Sequence, residues 1–289
     1  MKKMNMVRLL FAGLLGLATL LLTINEHAQN VSPPHTRTPV LVELFTSEGC
    51  SSCPPADALL RKLDEQPFPD VEIIALSEHV DYWNHDGWTD PYSSHAYTER
   101  QAAYGQQFHL ESPYTPQMVV DGAQEFLGSA PDKVQKAFAQ AVAAAKIPVQ
   151  ITEAKLENGL IRAHIEADAS PDHTKGEVYL VVALNQASSQ VLKGENAGRR
   201  LTHAGVVRSM TRVGKLEAGR PFSGDVSVKL DKATDPSDLR VIVFVQQSGP
   251  GRVLGATMEK LSEKNQPAQP AATRRESGPQ SFRARASLR

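Results

Sequence analysis

The chain holds two cysteines, Cys50 and Cys53, three residues apart within "ELFTSEGCSSCPPADALL". Their flanks fix where they sit. "TPVLVELF", residues 38–45, is an apolar, β-branched run of the kind that forms a buried strand. "TSEG" reads as a turn. "PPADALLRKL" reads as a helix, because Ala56, Leu59, Leu60 and Leu63 recur at helical spacing. The prolines fit its first turn, where a missing N–H costs nothing. The cysteines therefore mark a strand-to-helix junction at the positive end of a helix, where a thiolate is favoured. This placement predicts that Cys50 is the more exposed of the two.

Three kinds of chemistry suit such a pair. A structural disulfide closing so small a loop stabilises little in the chain-entropy model. A zinc-type site needs about four ligands, so the cysteines would need help from histidines such as His79, and a soft ion such as Cu(I) is the metal alternative. A redox-active dithiol needs only the cysteines and the helix end.

Four blocks in order carry a resemblance: "VLVELFTSEGCSSCPP", "HVDYWNHDGWTDPYSSHAYTERQ" from His79, "YTPQMVVDG" from Tyr114 and "GENAGRRLTHAGVVR" from Gly194. Over roughly residues 38–262 the chain resembles a secreted bacterial thioredoxin-like domain-of-unknown-function family. The resemblance implies a thioredoxin-like fold, with Cys50 as the nucleophilic and Cys53 as the resolving cysteine. It implies that Pro116 is a cis-proline facing the disulfide, with Thr115 and Tyr114 presenting backbone to a substrate. It places Glu43 as a buried acid beneath Cys53, or else as a surface glutamate at a strand edge. Ser51 and Ser52, between the cysteines, give no direction to the redox potential.

The segment after a second apolar strand, "VEIIALS", concentrates aromatics. Tyr82, Trp83 and Trp88 form either a substrate platform or a small side core. His79 and Asp81 are either metal ligands or a hydrogen-bonded pair supporting a loop. A helix from about Ser94, a strand from "YTPQMVVDG", a short strand "EFLG" and a helix over 129–145 complete the expected α/β thioredoxin-like domain, residues 38–146.

After Ile147-Pro148 the period changes from helical to alternating. "VQITEAKLENGLIRAHIEA" carries a hairpin signal at Asn158-Gly159, and three further strand-like runs follow. Residues 148–262 are expected to form an antiparallel β-sandwich domain. Gly194 to Met210 reads as a polar loop between strands, with Arg199 and His203 as candidate substrate-binding residues facing the dithiol.

The start, with Lys2, Lys3, Arg8 and the apolar Leu9–Ile24, reads as a secretory signal over residues 1–28. The residues before Ala28 suit cleavage poorly, which leaves an uncleaved anchor as the alternative. Either way the expected location is periplasmic or secreted, where disulfides persist. Residues 263–289 read as a disordered basic tail. A net charge of -1 offers no field for nucleic acid. No G-x-S-x-G elbow or phosphate-binding glycine loop occurs. The expectation is an exported thiol–disulfide oxidoreductase without a cofactor. It would act on a protein or small thiol substrate with a redox partner, and touch a membrane only through an uncleaved N-terminus. The rivals are an envelope metal-binding protein and a non-catalytic binding module.

Overall fold

The computed structural model describes residues 37–85, 87–230 and 235–261. The expected signal or anchor and the basic tail lie outside them. From Thr38 the elements run β1 (Thr38–Thr46), α1 (Pro54–Glu65), β2 (Val71–His79), α2 (His95–Gln107), β3 (Gln117–Val120), β4 (Gln124–Leu127) and α3 (Pro131–Ala143). Then come β5 (Val149–Glu157), β6 (Leu160–Ala167), β7 (Gly176–Gln190), β8 (Arg200–Leu216), β9 (Phe222–Lys229), β10 (Leu239–Gln246) and β11 (Val253–Lys260). None of the described helices is long and apolar enough to cross a membrane.

The expected fold class, an α/β thioredoxin-like domain followed by an antiparallel β-sandwich, is corrected here. One mixed sheet of eight strands, ordered β11-β10-β7-β8-β2-β1-β3-β4, draws strands from both halves of the chain. A second sheet has three strands, β5-β6-β9. The physical reason lies at β2. Its neighbour β1 pairs with it in parallel along nine residues, and its residues Ile74 to His79 are buried. A buried strand needs a partner on both edges for its backbone groups. The second edge is met by β8, which runs parallel to β2 with Ser77 opposite Val206. Gly205 makes this approach possible. Its φ is +62°, and a Cβ there would lie 2.2 Å from the carbonyl oxygen of Ala75, so only glycine fits.

Strand alternation sets the layers. Val40, Val42 and Leu44 of β1 pack under α1 and α3 with Ala56, Leu60, Val134 and Phe138. Leu41 joins Ile74, Leu76, Tyr97 and Phe244 in a second cluster, while Phe45 joins Tyr104 and Val119 in a third. The three-stranded sheet covers the other end of the large sheet, with Ile161 and Ile165 against Leu180, Val241 and Val243. The turn at Asn158-Gly159 has positive φ at both residues, 51° and 75°, as a type I′ hairpin requires. The runs at residues 38–45, 54–63 and 71–77 thus take the local structure read from them, each extended by one or two residues. The way the sheets combine does not follow that reading.

Polar ties bind α1 to the strands of the C-terminal half. Arg240 of β10 is 1 % exposed and bonds Asp64 with both guanidinium arms at 2.6 and 2.9 Å. Arg61 donates to the carbonyl of Thr202 at 2.9 Å.

Candidate dithiol site

Cys50 and Cys53 are joined in a disulfide. Cys53 is the N-cap of α1, and its carbonyl accepts from the backbone N–H groups of Ala56 and Asp57. Pro54 and Pro55 occupy the first turn. Both cysteines are fully buried, so the expected exposure of Cys50 is not found. What covers them is the tip between β7 and β8. Asn196, itself fully buried, donates through Nδ2 to the carbonyls of Glu48 and Cys50, both at 2.9 Å. Glu195 Oε2 accepts from the backbone N–H of Ser51 at 2.9 Å. Exposed Arg199 holds the amide oxygen of Asn196 at 2.8 Å, which turns that side chain's N–H group toward the two carbonyls. The block read as one polar loop from Gly194 to Met210 is in fact this tip plus the first part of β8, which starts at Arg200.

On the open side, the Thr115-Pro116 peptide is cis. Thr115 O lies 3.4 Å from Ser52 Oγ, and Trp83 Nε1 donates to Thr115 Oγ1 at 2.8 Å. Tyr114 turns away, with its hydroxyl on Glu125 at 2.7 Å and its carbonyl held by Gln101. Tyr82 and Trp83 pack against the cluster of Phe45, Val80 and Tyr104, so they edge a side core next to the cis peptide. Gly49 admits Trp83, since a Cβ there would lie 2.9 Å from the Trp83 carbonyl oxygen.

Glu48, two residues before Cys50, and Asp57, four after Cys53, belong to a buried ionic network. His203 of β8 is 1 % exposed. Its Nε2 is 3.4 Å from Glu48 Oε1 and its Nδ1 is 3.4 Å from Asp57 Oδ1. Burial alone would lower the imidazole pKa, but the carboxylates of Asp57 and Glu48 outweigh it and hold it up at about 10. His203 is therefore an imidazolium at neutral pH. Glu48, on the turn before Cys50, accepts from Trp88 Nε1 at 3.0 Å and from the Ser189 hydroxyl. Asp57 accepts from Thr46 Oγ1 at 2.9 Å. The network continues to His79, whose ring centroid is 4.6 Å from that of His203. His79 contacts Asp90 Oδ2 at 2.7 Å and Ser77 Oγ at 3.1 Å.

Of the sequence-predicted residues, Thr115 meets Ser52 between the two cysteines, with Pro116 next to it; Arg199 reaches the site through Asn196, and His203 through Glu48 and Asp57. Trp88 lies one step behind, through Glu48. Glu43 is elsewhere. Strand alternation puts its side chain on the face opposite Val42 and Leu44, away from α1. There it accepts from Arg100 Nε and the Tyr104 hydroxyl, both at 2.6 Å. Beside it, burial and then the Glu43 charge push Glu78 well above the usual carboxylate range, against the pull of Arg100. Asp81 bonds Thr98 and His95 rather than His79. Among the described residues, no group of three or more histidines, cysteines and acids is arranged to hold a metal ion. Glu48, Asp57 and Asp90 were missed in the sequence. Asp57 carried a signal there: it stands four residues after Cys53, on the same face of α1.

Fold and site together define a two-sheet protein with a buried CXXC disulfide at a strand-to-helix junction. The chain belongs to a family described as protein of unknown function (DUF1223), which it matches over residues 41–246. Among solved structures it is similar to protein AGR_C_4864 from Agrobacterium tumefaciens. That match has 27% identity and a TM-score of 0.63, covering 79% of this chain and 96% of that one. HBP35 of Porphyromonas gingivalis matches at 18% identity with a TM-score of 0.58, covering 87% of this chain and 82% of that one, a likeness of fold alone. No curated protein matches.

Proposed function

We propose that this protein is an exported thiol–disulfide oxidoreductase whose reacting pair is Cys50 and Cys53. The observation that supports the reading is the position of the disulfide at the N-terminus of α1, flanked in sequence by Glu48 and Asp57, the two carboxylates that a buried imidazole holds together. A disulfide spanning three residues contributes little chain entropy, and a buried charge cluster costs more than a packed apolar core of the same volume. Neither is explained by stability, while both serve a thiol that must ionise. The helix end favours the thiolate of whichever cysteine is reduced.

In this reading Cys50 thiolate attacks a substrate disulfide, forming a mixed disulfide and expelling one substrate thiolate. Cys53 then attacks Cys50 Sγ, which re-forms the internal bond and releases the second substrate thiol. The reverse sequence oxidises a substrate dithiol. The tip at 194–199 must lift for Cys50 to meet a protein substrate, and the backbone at Thr115-Pro116 is the strand against which it would lie. Export is part of the proposal and rests on the basic, apolar N-terminal run.

The test is trapping. Cys53→Ser should accumulate mixed disulfides with partner thiols through Cys50, and Cys50→Ser should accumulate none. Equal absence of adducts in both variants, together with an internal pair that glutathione buffers cannot cycle, would sink the proposal.

A further inference from the structure

We infer that Asp57, the ion-pair partner of His203, is the proton acceptor for Cys53; this rests on the oxidoreductase reading above. Three observations converge on it. Asp57 is 5 % exposed and lies one helical turn after Cys53, where side chains share a face. Its Oδ1 accepts from the Thr46 hydroxyl and lies 3.4 Å from His203 Nδ1, whereas its Oδ2, like both ring nitrogens of His203, is buried without a hydrogen-bond partner. A buried acceptor left unmatched is uncommon and costs free energy. With Cys53 in a disulfide, there is no S–H for it to accept from. Reduction creates one.

The neighbours cannot take this part. His203 already carries its proton, so it holds charge rather than accepting more. Glu48 has both oxygens occupied, by Ser189 and Trp88. Glu43 lies on the other face of the sheet. The groups facing the Asp57 carboxylate are Thr46 from β1 and His203 from β8, with Glu48 behind the imidazole.

The step balances as follows. In the mixed disulfide between Cys50 and a substrate sulfur, the Cys53 S–H proton passes to Asp57 Oδ2. The Cys53 thiolate attacks Cys50 Sγ, the Cys50–substrate S–S bond breaks, and the leaving substrate thiolate takes a proton from water. Asp57 then releases its proton to solvent. Two protein thiols are oxidised and one substrate disulfide is reduced. While Asp57 is neutral, His203 keeps Glu48 as its counter-ion, so no unpaired charge is left buried.

The experiment uses reduced full chain and 5,5′-dithiobis(2-nitrobenzoate). Attack by Cys50 releases one nitrothiolate, and resolution by Cys53 releases the second. Asp57→Asn should leave the first phase within about twofold of the native protein. It should slow the second by about tenfold or more at neutral pH, within the range general-base groups supply, with the lost rate returning as pH rises and the thiol ionises unaided. Where D57N does not fold, His203→Gln carries the test: it removes the ion-pair partner of Asp57, and the second phase slows in the same selective way. Native-like second phases in a folded variant, or equal slowing of both phases, overturn the assignment of Asp57 alone. A native protein that releases no nitrothiolate overturns the oxidoreductase reading and this one with it.

Discussion

Arg240 clasps Asp64 with both arms of its guanidinium across 176 residues of chain, tying β10 to the last turn of the dithiol helix. Arg240 is almost wholly buried and Asp64 nearly so. The pair is therefore costly to break and cheap to replace as a unit. Arg240→Ala leaves the mostly covered Asp64 carboxylate without its partner and is expected to lower the unfolding free energy by about 2–4 kcal/mol, near the lower end for fully buried pairs. The double variant Arg240→Met, Asp64→Leu should recover most of that loss. Urea titration of all three proteins decides it: a single variant within 1 kcal/mol of native, taking about that as the range of surface pairs, would show that the clasp carries no weight.

Asn196 is the pin of the tip that covers the disulfide. Its Nδ2 satisfies two backbone carbonyls at once. Asn196→Ala leaves the Glu48 carbonyl without its donor, while that of Cys50 keeps the Cys53 N–H; the cost is about 1–3 kcal/mol, and the cover loosens. Reduction of the Cys50–Cys53 bond by dithiothreitol should then be several-fold faster than in the native protein, while the circular-dichroism spectrum stays the same. An unchanged reduction rate would mean that the tip already opens freely.

The His203 imidazolium gives stability a definite dependence on pH. Its folded pKa, about 10, lies above the unfolded imidazole value of about 6.5. The folded state therefore binds the proton more tightly. The stabilisation from this group is complete below about pH 6.5 and is lost as pH climbs through the folded value near 10. Around the ring stand Glu48, Asp57, His79 and Tyr92. Comparing His203→Gln with the native protein removes the other groups' shared contributions. The stability gap between them should be widest at or below pH 6.5 and shrink steadily toward pH 10. A gap that widens with pH would reverse the sign and refute the charge assignment.

Much of the site was legible because it is local. The strand of residues 38–46, the helix beginning at Pro54 and the junction between them follow from periodicity and proline placement within thirty residues. The proline implicated by the resemblance, Pro116, does sit beside Ser52, with its peptide cis. What escaped is what depends on distant chain. The resemblance offered Glu43 as the acid beneath Cys53, with a surface glutamate at a strand edge as the alternative. The phase of β1, fixed by Val42 and Leu44 packing under α1, sends it to the opposite face. His203 looked like a loop residue because its block is polar. It lies on a strand whose register is set by pairing with β2 and β7, and no local pattern encodes that. The expected fold class failed for the same reason: the alternating period of residues 148–262 predicts strands, but not which sheet they join.

The junction between β2 and β8 also makes the cysteines a clock for folding. Residues 50 and 53 are shielded by Asn196, from the tip that leads into β8, while β8 joins β2 at Val206. The thiols of a reduced chain can vanish from a fast alkylating reagent only after segments about 150 residues apart in sequence have met. Pulse-labelling during refolding would thus time the slowest kind of contact, the non-local closure that sets folding rates, through two native sulfur atoms.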